Sequence, residues 1–484
     1  MAQNYVRKRK YIPKQVNAPW RCLSAFAERV QGISWSYPDS AAFAANAAPL
    51  DMQRCRSWTV KHTLSVTPKY KGDTMASEST PNRWLILFAS LAINICIGSA
   101  YAWSVYQKPL MEILGATTSD TSLAFTISLC LIPLAMIVAG KFQDSIGPKP
   151  VIFIGGVIFG AAMILTGFVT SLPMLYATYG VLGGVGIGTI YACTVANTVK
   201  FFPDKRGMAS GLVVAGFGSG AVLIAPLSTW LIEQYTVLPV FKFLGIAYVV
   251  LISLCVTQVK TAPAGFVPAG WTPPAPAGGG AAPVSVDKNW RELLTDPLFF
   301  ILYSIYIIGS VSGLMFIGHA SPIAQEVIGV DVTVAAAAVG FMALANTGGR
   351  IFWGWASDKI GRYNVLYAMF AITTLMMLAM TQVTTYVPYV VVLMSVVLCF
   401  GGFMGCFPSI TAEAFGAKNL GMNYGVIFTA YGIAGLVGPR LAARVKEMND
   451  GDYTMAFIIA GGLSIIGIIM SFLAKRATQK RLKA

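Results

Sequence analysis

Residues 354–362 read GWASDKIGR and residues 140–149 read GKFQDSIGPK, so that one Gly-Asp-Gly pattern occurs twice in the chain. Each copy lies between two long apolar stretches. A glycine at a helix end lets a second helix approach closely, and an aspartate can accept hydrogen bonds from a neighbouring helix N-terminus. The repeat therefore predicts two related halves, each with a tight helix–loop–helix contact at the same point.

The composition places these loops in a membrane protein. The 484 residues are 56% hydrophobic and 11% charged, whereas soluble domains have about 25% charged residues. Stretches of about 20 apolar residues are long enough to cross a bilayer as helices. They predict an all-α membrane protein with twelve transmembrane helices, at residues 84–106, 122–142, 151–171, 174–199, 208–232, 241–258, 298–323, 332–355, 363–384, 388–411, 422–443 and 453–474.

The connection after the sixth helix divides the chain. Residues 263–283 contain six Pro and five Gly, a composition typical of a linker. We predict a six-helix bundle at 83–260, a cytoplasmic linker at 261–290 and a second six-helix bundle at 291–475. Residues 476–484 would form a basic C-terminus, and residues 1–82 a basic, disordered cytoplasmic tail. Met75, just before the first helix, is a second candidate for the native start.

The charge distribution predicts the orientation in the membrane. Residues 1–74 hold 12 Lys/Arg and 4 Asp/Glu, so the tail carries about half of the formal net charge of +15. Basic residues also concentrate in the connections that follow even-numbered helices, which is the cytoplasmic pattern. We therefore expect both termini in the cytoplasm, the plasma membrane as the location, the lipid bilayer as a partner, a monomer, and no nucleic-acid binding.

The sequence lacks the patterns of a catalytic or metal centre. It contains only two histidines, His62 and His319, and no Cys/His group with metal-ligand spacing. It also has no nucleophile elbow and no phosphate-binding loop of the P-loop type. We expect no cofactor, no metal and no enzymatic activity, and a driving force that comes from an existing solute gradient.

The duplicated loop resembles the signature loop of the major facilitator superfamily. Three further stretches, at residues 99–106 (SAYAWSVY), 201–211 (FFPDKRGMASG) and 349–354 (GRIFWG), look like the oxalate/formate antiporter family. This resemblance implies the major facilitator fold and transport by alternating access. It also implies that the loop residues gate the two halves: Gly140, Asp144, Gly147, Gly354, Asp358, Lys359, Gly361 and Arg362. The first copy departs from the pattern, with Ser145 and Pro148 where basic residues are usual.

Arg350 is the candidate centre of the binding site. It lies eight residues before Asp358, which is roughly 12 Å of helix at 1.5 Å per residue and hence inside the membrane. A buried guanidinium is costly, and no Asp or Glu lies deep enough in the predicted helices to pair with it. A planar cation suits a carboxylate, and Asn346 one turn earlier could orient it. The alternatives are pairing with backbone carbonyls or extension toward the cytoplasmic surface. In the resembled family, the corresponding arginine binds the substrate carboxylate.

Tyr431 bears on the choice of substrate. The oxalate carriers of the resembled family place a lysine in helix 11, and alignment on residues 423–425 brings Tyr431 to that position. One fixed cation instead of two favours a monocarboxylate, such as formate, acetate, lactate or pyruvate. Oxalate/formate exchange remains an alternative.

Several other polar and aromatic residues are candidates for the cavity. Tyr101, Trp103, Tyr106 and Tyr191 would form its walls, with plain helix packing as the alternative. His319 could carry a proton or simply form a hydrogen bond. We therefore predict a secondary transporter of small carboxylates that works by anion exchange or proton symport. A drug or sugar exporter and a transporter-like anion sensor are the rival hypotheses.

Overall fold

The computed structural model describes residues 81–263, 265–272, 287–450 and 452–483. Twelve helices in these ranges are long and apolar enough to cross a membrane, which confirms the predicted number. The predictions for the N-terminal tail and for Met75 lie outside the described residues. The helices are α1 (Arg83–Leu114), α2 (Thr118–Ile146), α3 (Pro148–Thr166), α4 (Leu172–Phe201), α5 (Arg206–Tyr235), α6 (Val237–Gln258), α7 (Pro297–Glu326), α8 (Val332–Ile360), α9 (Arg362–Met380), α10 (Tyr386–Phe415), α11 (Leu420–Met448) and α12 (Thr454–Lys483).

Two of these helices depart from regular α geometry. A short 3₁₀ segment at Ser99–Ala102 interrupts α1, and α4 contains a wider π-helical segment at Tyr176–Gly183. Such segments change the direction of the side chains that follow them, and they often occur at functional positions. The last helical turns also differ from the sequence prediction: α11 continues to Met448, so that Arg444 and Lys446 belong to this helix rather than to a connection.

The spacing between the two loops recurs through most of both halves. α1 to α5 begin at residues 83, 118, 148, 172 and 206, and α7 to α11 begin at residues 297, 332, 362, 386 and 420. Each of these five helices is thus separated from its counterpart by the same interval along the chain, which is also the interval between Gly140 and Gly354. The described helices form two six-helix bundles, α1–α6 and α7–α12, and the paired helices have closely similar lengths.

The two bundles pack together through α5 against α8 and α2 against α11. Glycines permit this approach: a Cβ at Gly354 would lie 2.5 Å from the carbonyl oxygen of Gly207, and one at Gly140 would lie 2.2 Å from the carbonyl carbon of Gly421. We call this end of the molecule the basic side, because the Lys/Arg-rich connections lie there. Backbone-to-backbone contact closes the basic side between the halves.

The glycines of α4 serve a similar purpose within the first bundle. A Cβ at Gly186 would lie 2.7 Å from the backbone nitrogen of Phe159, and one at Gly188 would lie 2.3 Å from the carbonyl oxygen of Ile132. The glycine-rich stretch therefore lets α4 pack closely against α3 and α2, as expected for small residues between membrane helices.

A buried carboxylate joins the linker to both ends of the second bundle. The Asp296 side chain is inaccessible to solvent, accepts a hydrogen bond from the backbone of Leu298 and forms ion pairs with Lys288 and Arg481. Burial alone would raise the pKa of the Asp296 carboxyl, but the hydrogen bonds from Arg481 and Lys288 outweigh it and hold the pKa below its usual range. The ionised carboxylate fixes the start of α7 to the end of α12.

We expect Asp296→Asn to destabilise the protein. Asparagine can still cap α7 but loses both ion pairs, which should reduce stability by about 1–3 kcal/mol and lower the melting temperature in detergent. The pKa of the Asp296 carboxyl is lower in the folded protein than in the unfolded chain. The wild type should therefore be more stable than Asp296→Asn above about pH 4, and this difference in stability should disappear as the pH falls through the folded-state pKa. The control is Asp331→Asn, since Asp331 caps α8 through Thr333 and Val334 without an ion pair among the described residues. Equal melting temperatures for the two variants at pH 7 would contradict this assignment.

Candidate functional site

The Arg350 side chain lies in α8 at the centre of the interface between the bundles. Only 1% of its surface is exposed, and none of the ion pairs of the described residues includes it. The charge is therefore balanced by dipoles rather than by a carboxylate. The lack of an acidic partner agrees with the sequence, in which no Asp or Glu lies deep enough in the predicted helices to pair with this cation.

Two neighbours hold the guanidinium. Nη1 donates to the carbonyl oxygen of Val214 at 2.7 Å, and Nε donates to Oδ1 of Asn346 at 3.3 Å. Nη2 donates no hydrogen bond to the part of the chain that the structure describes. The bond to Val214 is the backbone pairing considered as an alternative above, and it links α8 of one half to α5 of the other. A side chain at position 218 would crowd the group, because a Cβ at Gly218 would lie 3.0 Å from Cζ of Arg350.

Tyr431 and Tyr101 meet across the interface near this cation. Their hydroxyl oxygens are 3.2 Å apart, which joins α11 to α1. Tyr431 is 8% exposed and stacks on Phe428, with ring centroids 5.1 Å apart, while Tyr101 packs edge-on against Phe217 at 4.9 Å. Tyr431 therefore faces the other half of the molecule and not the lipid.

Three further tyrosines surround Phe428. The ring centroids of Tyr191, Tyr306 and Tyr424 lie 5.5, 6.2 and 5.6 Å from that of Phe428. All three hydroxyls, like that of Tyr431, lie within electrostatic reach of Arg350. The sequence pointed to Tyr191 but not to Tyr306 and Tyr424, because each of these two lies among other aromatic residues of an apolar stretch and nothing local distinguishes it.

Trp103 and Tyr106 do not belong to this central group. Trp103 stacks on Phe125 and packs at a tilt against Tyr179, whereas Tyr106 packs against Phe241 and its hydroxyl is 2.7 Å from Oγ of Ser228. Both rings are therefore used for packing inside the first bundle. Tyr101 lies within the 3₁₀ segment and these two residues follow it, and their contacts are those of helix packing, the alternative considered for them.

His319 also lies apart from Arg350. Its Nε2 is 2.9 Å from the carbonyl oxygen of Pro439, and its ring packs edge-on against Tyr453 at 5.8 Å. These contacts lie within the second bundle, on the side opposite the basic side. They describe a half-buried histidine that forms a hydrogen bond between α7 and α11.

Asp358 connects the two bundles on the basic side. Its two carboxylate oxygens accept hydrogen bonds from the backbone nitrogens of Gly207 and Met208, at 2.9 and 2.7 Å, at the start of α5. The prediction that an aspartate of this loop caps a neighbouring helix is therefore confirmed. Arg362 holds the carboxylate from the other side at 2.8 Å and also pairs with Glu413 at 2.7 Å.

The first copy of the loop makes a different set of contacts. Asp144 pairs with Lys200 at 3.0 Å, and the same ammonium group donates to the carbonyl oxygen of Lys418 in the other half at 3.1 Å. Pro148 occupies the position equivalent to Arg362 and can supply no charge. Oδ2 of Asp144 is buried without a hydrogen bond of good geometry among the described residues, and the carboxylate makes a weaker contact with the backbone nitrogen of Met422. The second copy therefore provides the more complete charge network, as the sequence indicated.

Comparison with known proteins identifies the family. A model of the Major Facilitator Superfamily matches residues 84–439. The chain belongs to the major facilitator superfamily, and it is a multi-pass membrane transporter rather than an enzyme.

Its relatives include transporters of small anions. The chain is 29% identical to the oxalate:formate antiporter of Oxalobacter formigenes, over 81% of this chain and 91% of that protein. It is 31% identical to the uncharacterized transporter YhjX of Escherichia coli, over 73% and 86% of the two chains. Monocarboxylate transporter 12 of Xenopus laevis is 26% identical, over 81% of this chain and 88% of that protein.

A solved structure shares the fold. That of a proton:xylose symporter matches with a TM-score of 0.64 at 11% identity, and the match covers 81% of this chain and 95% of that one. At this identity the likeness concerns the fold alone.

We expect Gly354→Val to keep the halves apart on the basic side. A side chain at this position collides with the backbone of Gly207, and backbone cannot move as a flexible side chain can. Gly348→Val is the control in the same helix, because a Cβ there meets nothing within 4 Å. Spin labels at the exposed Ser145 and Ile360 should report a longer and broader distance in the Gly354 variant only. An unchanged distance distribution would show that this contact does not govern closure.

Proposed function

We propose that this protein is a secondary active transporter of small monocarboxylates such as formate, acetate, lactate or pyruvate. It works by alternating access, through exchange with another carboxylate or symport with a proton. With the basic side in the cytoplasm, both termini are cytoplasmic and the plasma membrane is the location.

The observation that carries this proposal is the buried Arg350 with a nitrogen still available for a ligand. Its surroundings are aromatic and largely apolar, so a charge-assisted hydrogen bond formed there is stronger than one in water. A substrate carboxylate is the counterion that the described residues do not provide. Asn346, which accepts from Nε, holds the guanidinium plane in position.

The neutral groups around Arg350 support a singly charged substrate. Tyr431 and Tyr101 can donate hydrogen bonds but add no positive charge, so that a bound monoanion neutralises the single fixed cation. A dianion would leave one carboxylate without an oppositely charged partner in a low-dielectric site, which is unfavourable. Charge matching thus favours monocarboxylates over oxalate.

The same arginine can couple binding to movement of the halves. The Arg350–Val214 hydrogen bond joins α8 to α5 while the basic side is closed. A carboxylate that binds the guanidinium competes with the Val214 carbonyl and weakens this link. Opening on the basic side further requires α5 to leave Asp358, so the proposed gating residues and the binding site act on the same pair of helices.

Oxalate/formate exchange is the second candidate. The likeness to the Oxalobacter formigenes antiporter extends over most of both chains and favours an anion exchanger. The absence of a lysine at position 431 argues against a close match in substrate. The two candidates differ in the ratio of affinities for one-charge and two-charge anions.

We expect counterflow of labelled formate, acetate, lactate or pyruvate in proteoliposomes of the wild type, and its loss in Arg350→Gln. Losing a charge-assisted contact should cost about 1.5–3 kcal/mol, enough to weaken binding at least tenfold. Arg350→Lys should restore only part of the activity, because an ammonium lacks the planar fork. Arg291→Gln, which removes a cation from the short linker helix Trp290–Leu294, is the control and should transport normally. Normal counterflow by a folded Arg350→Gln variant would refute the central assignment.

We expect Tyr431→Lys to shift selectivity toward oxalate. The added ammonium would face Arg350 across the site and offer a partner to the second carboxylate. The ratio of oxalate to acetate affinity should rise, while absolute rates can fall because two cations repel in the empty site. Tyr431→Phe removes the hydroxyl without adding charge and is the matched control. If both folded variants keep the wild-type ratio, position 431 does not set substrate charge.

A further inference from the structure

The hydroxyl of Tyr424 has no well-placed hydrogen-bond partner in the part of the chain that is described. The residue is 0% exposed, and its oxygen makes no hydrogen bond of good geometry there, although the hydroxyls of Tyr191 and Tyr306 are near enough for weak hydrogen bonds with it. Tyr306 is also fully buried, and its hydroxyl donates to the thioether sulfur of Met404 at 3.5 Å, with the Tyr424 hydroxyl as another polar neighbour. A thioether is a weak acceptor, so two buried phenol donors are poorly satisfied.

These hydroxyls lie beside the proposed carboxylate site. Tyr424 and Tyr306 both pack on Phe428, whose ring stacks on Tyr431, and both hydroxyls are close enough to Arg350 for its charge to act on them. Tyr424 is on α11 and Tyr306 on α7, while Tyr191 approaches from α4 of the first bundle. The group therefore spans the interface at which a substrate would be enclosed.

Packing alone gives no reason for tyrosine at these positions. The ring of Phe407 stacks on that of Tyr306 with centroids 4.0 Å apart, and Phe428 lies between the tyrosines, so the surroundings readily accommodate phenylalanine. A buried hydroxyl without a strong partner is destabilising relative to the same ring without it. Such a donor is useful when its acceptor is a ligand that arrives and leaves.

We propose that the hydroxyls of Tyr424 and Tyr306 complete the carboxylate site of Arg350 by donating hydrogen bonds to the bound anion. This inference rests on the proposed function and extends its binding site. A carboxylate has two oxygens with about four acceptor positions, more than the one unengaged nitrogen of Arg350 can fill. Neutral phenols fill the remaining positions without adding charge, which keeps the site matched to a monoanion.

The test measures binding of acetate, lactate and pyruvate to purified wild type, Tyr424→Phe and Tyr306→Phe. The control is Tyr248→Phe in α6, because the Tyr248 hydroxyl is also buried without a hydrogen bond of good geometry among the described residues, and Arg350 is not among the groups near it. We expect each of the two site variants to weaken binding about three- to tenfold, as for the loss of one hydrogen bond, and Tyr248→Phe to bind like the wild type.

The melting temperature without ligand separates a binding role from a structural one. Removing a poorly satisfied hydroxyl should leave the melting temperature of ligand-free Tyr424→Phe equal to that of the wild type or higher. The rise in melting temperature on adding acetate should be smaller in this variant than in the wild type. A lower melting temperature without ligand, or affinities equal to those of Tyr248→Phe, would overturn the inference while the proposed function stands. If the wild type binds none of the three anions, the proposed function fails and the inference fails with it.

Discussion

The guanidinium of Arg350, buried between two bundles of apolar helices, is the constraint on which the arrangement of the surrounding side chains depends. Such a group is stable in the membrane only if nearby dipoles solvate it or an anion neutralises it. Here the Val214 carbonyl and the Asn346 amide oxygen supply the dipoles, and the missing side chain of Gly218 provides the space. These groups come from both halves, so the geometry of the cation follows the relative position of the bundles.

On the basic side, the halves meet through backbone contacts at the glycines of the repeated loop. Gly207 lies against Gly354, and its amide also donates to Asp358, so that one residue provides both close approach and a helix cap. Asp358 would lose this hydrogen bond if α5 moved away, leaving a carboxylate held by Arg362 alone in the loop. The Asp358 carboxylate therefore keeps one partner, Arg362, when the halves separate, a property suited to a reversible gate.

Most of the architecture could be predicted from the sequence because apolar length and the repeated loop are local signals. The twelve helices, the cap made by Asp358 and the proximity of Asn346 to Arg350, one turn apart, all follow from spacing along the chain. The positions of Trp103 and Tyr106 did not, since periodicity shows that a residue is on a buried face but not which bundle it faces. Tyr306 and Tyr424 were missed for a related reason: Arg350 and Tyr191, which lie near both of them, belong to other helices that are far away along the chain.

The repeat shows at which positions the two halves differ in sequence although their folds are alike. Aligning the loop at Gly140 with the loop at Gly354 places Met136 at the position of Arg350 and Phe217 at that of Tyr431, although the surrounding backbones pack alike. The second half thus holds the cation of the proposed site, while the first half offers neutral groups, the Val214 carbonyl and the hydroxyls of Tyr101 and Tyr191. In the proposed cycle, a bound anion would remain with the second half, because its strongest contact is there. The first half can then exchange weaker hydrogen bonds as it moves, which keeps the barrier to reorientation low without releasing the substrate.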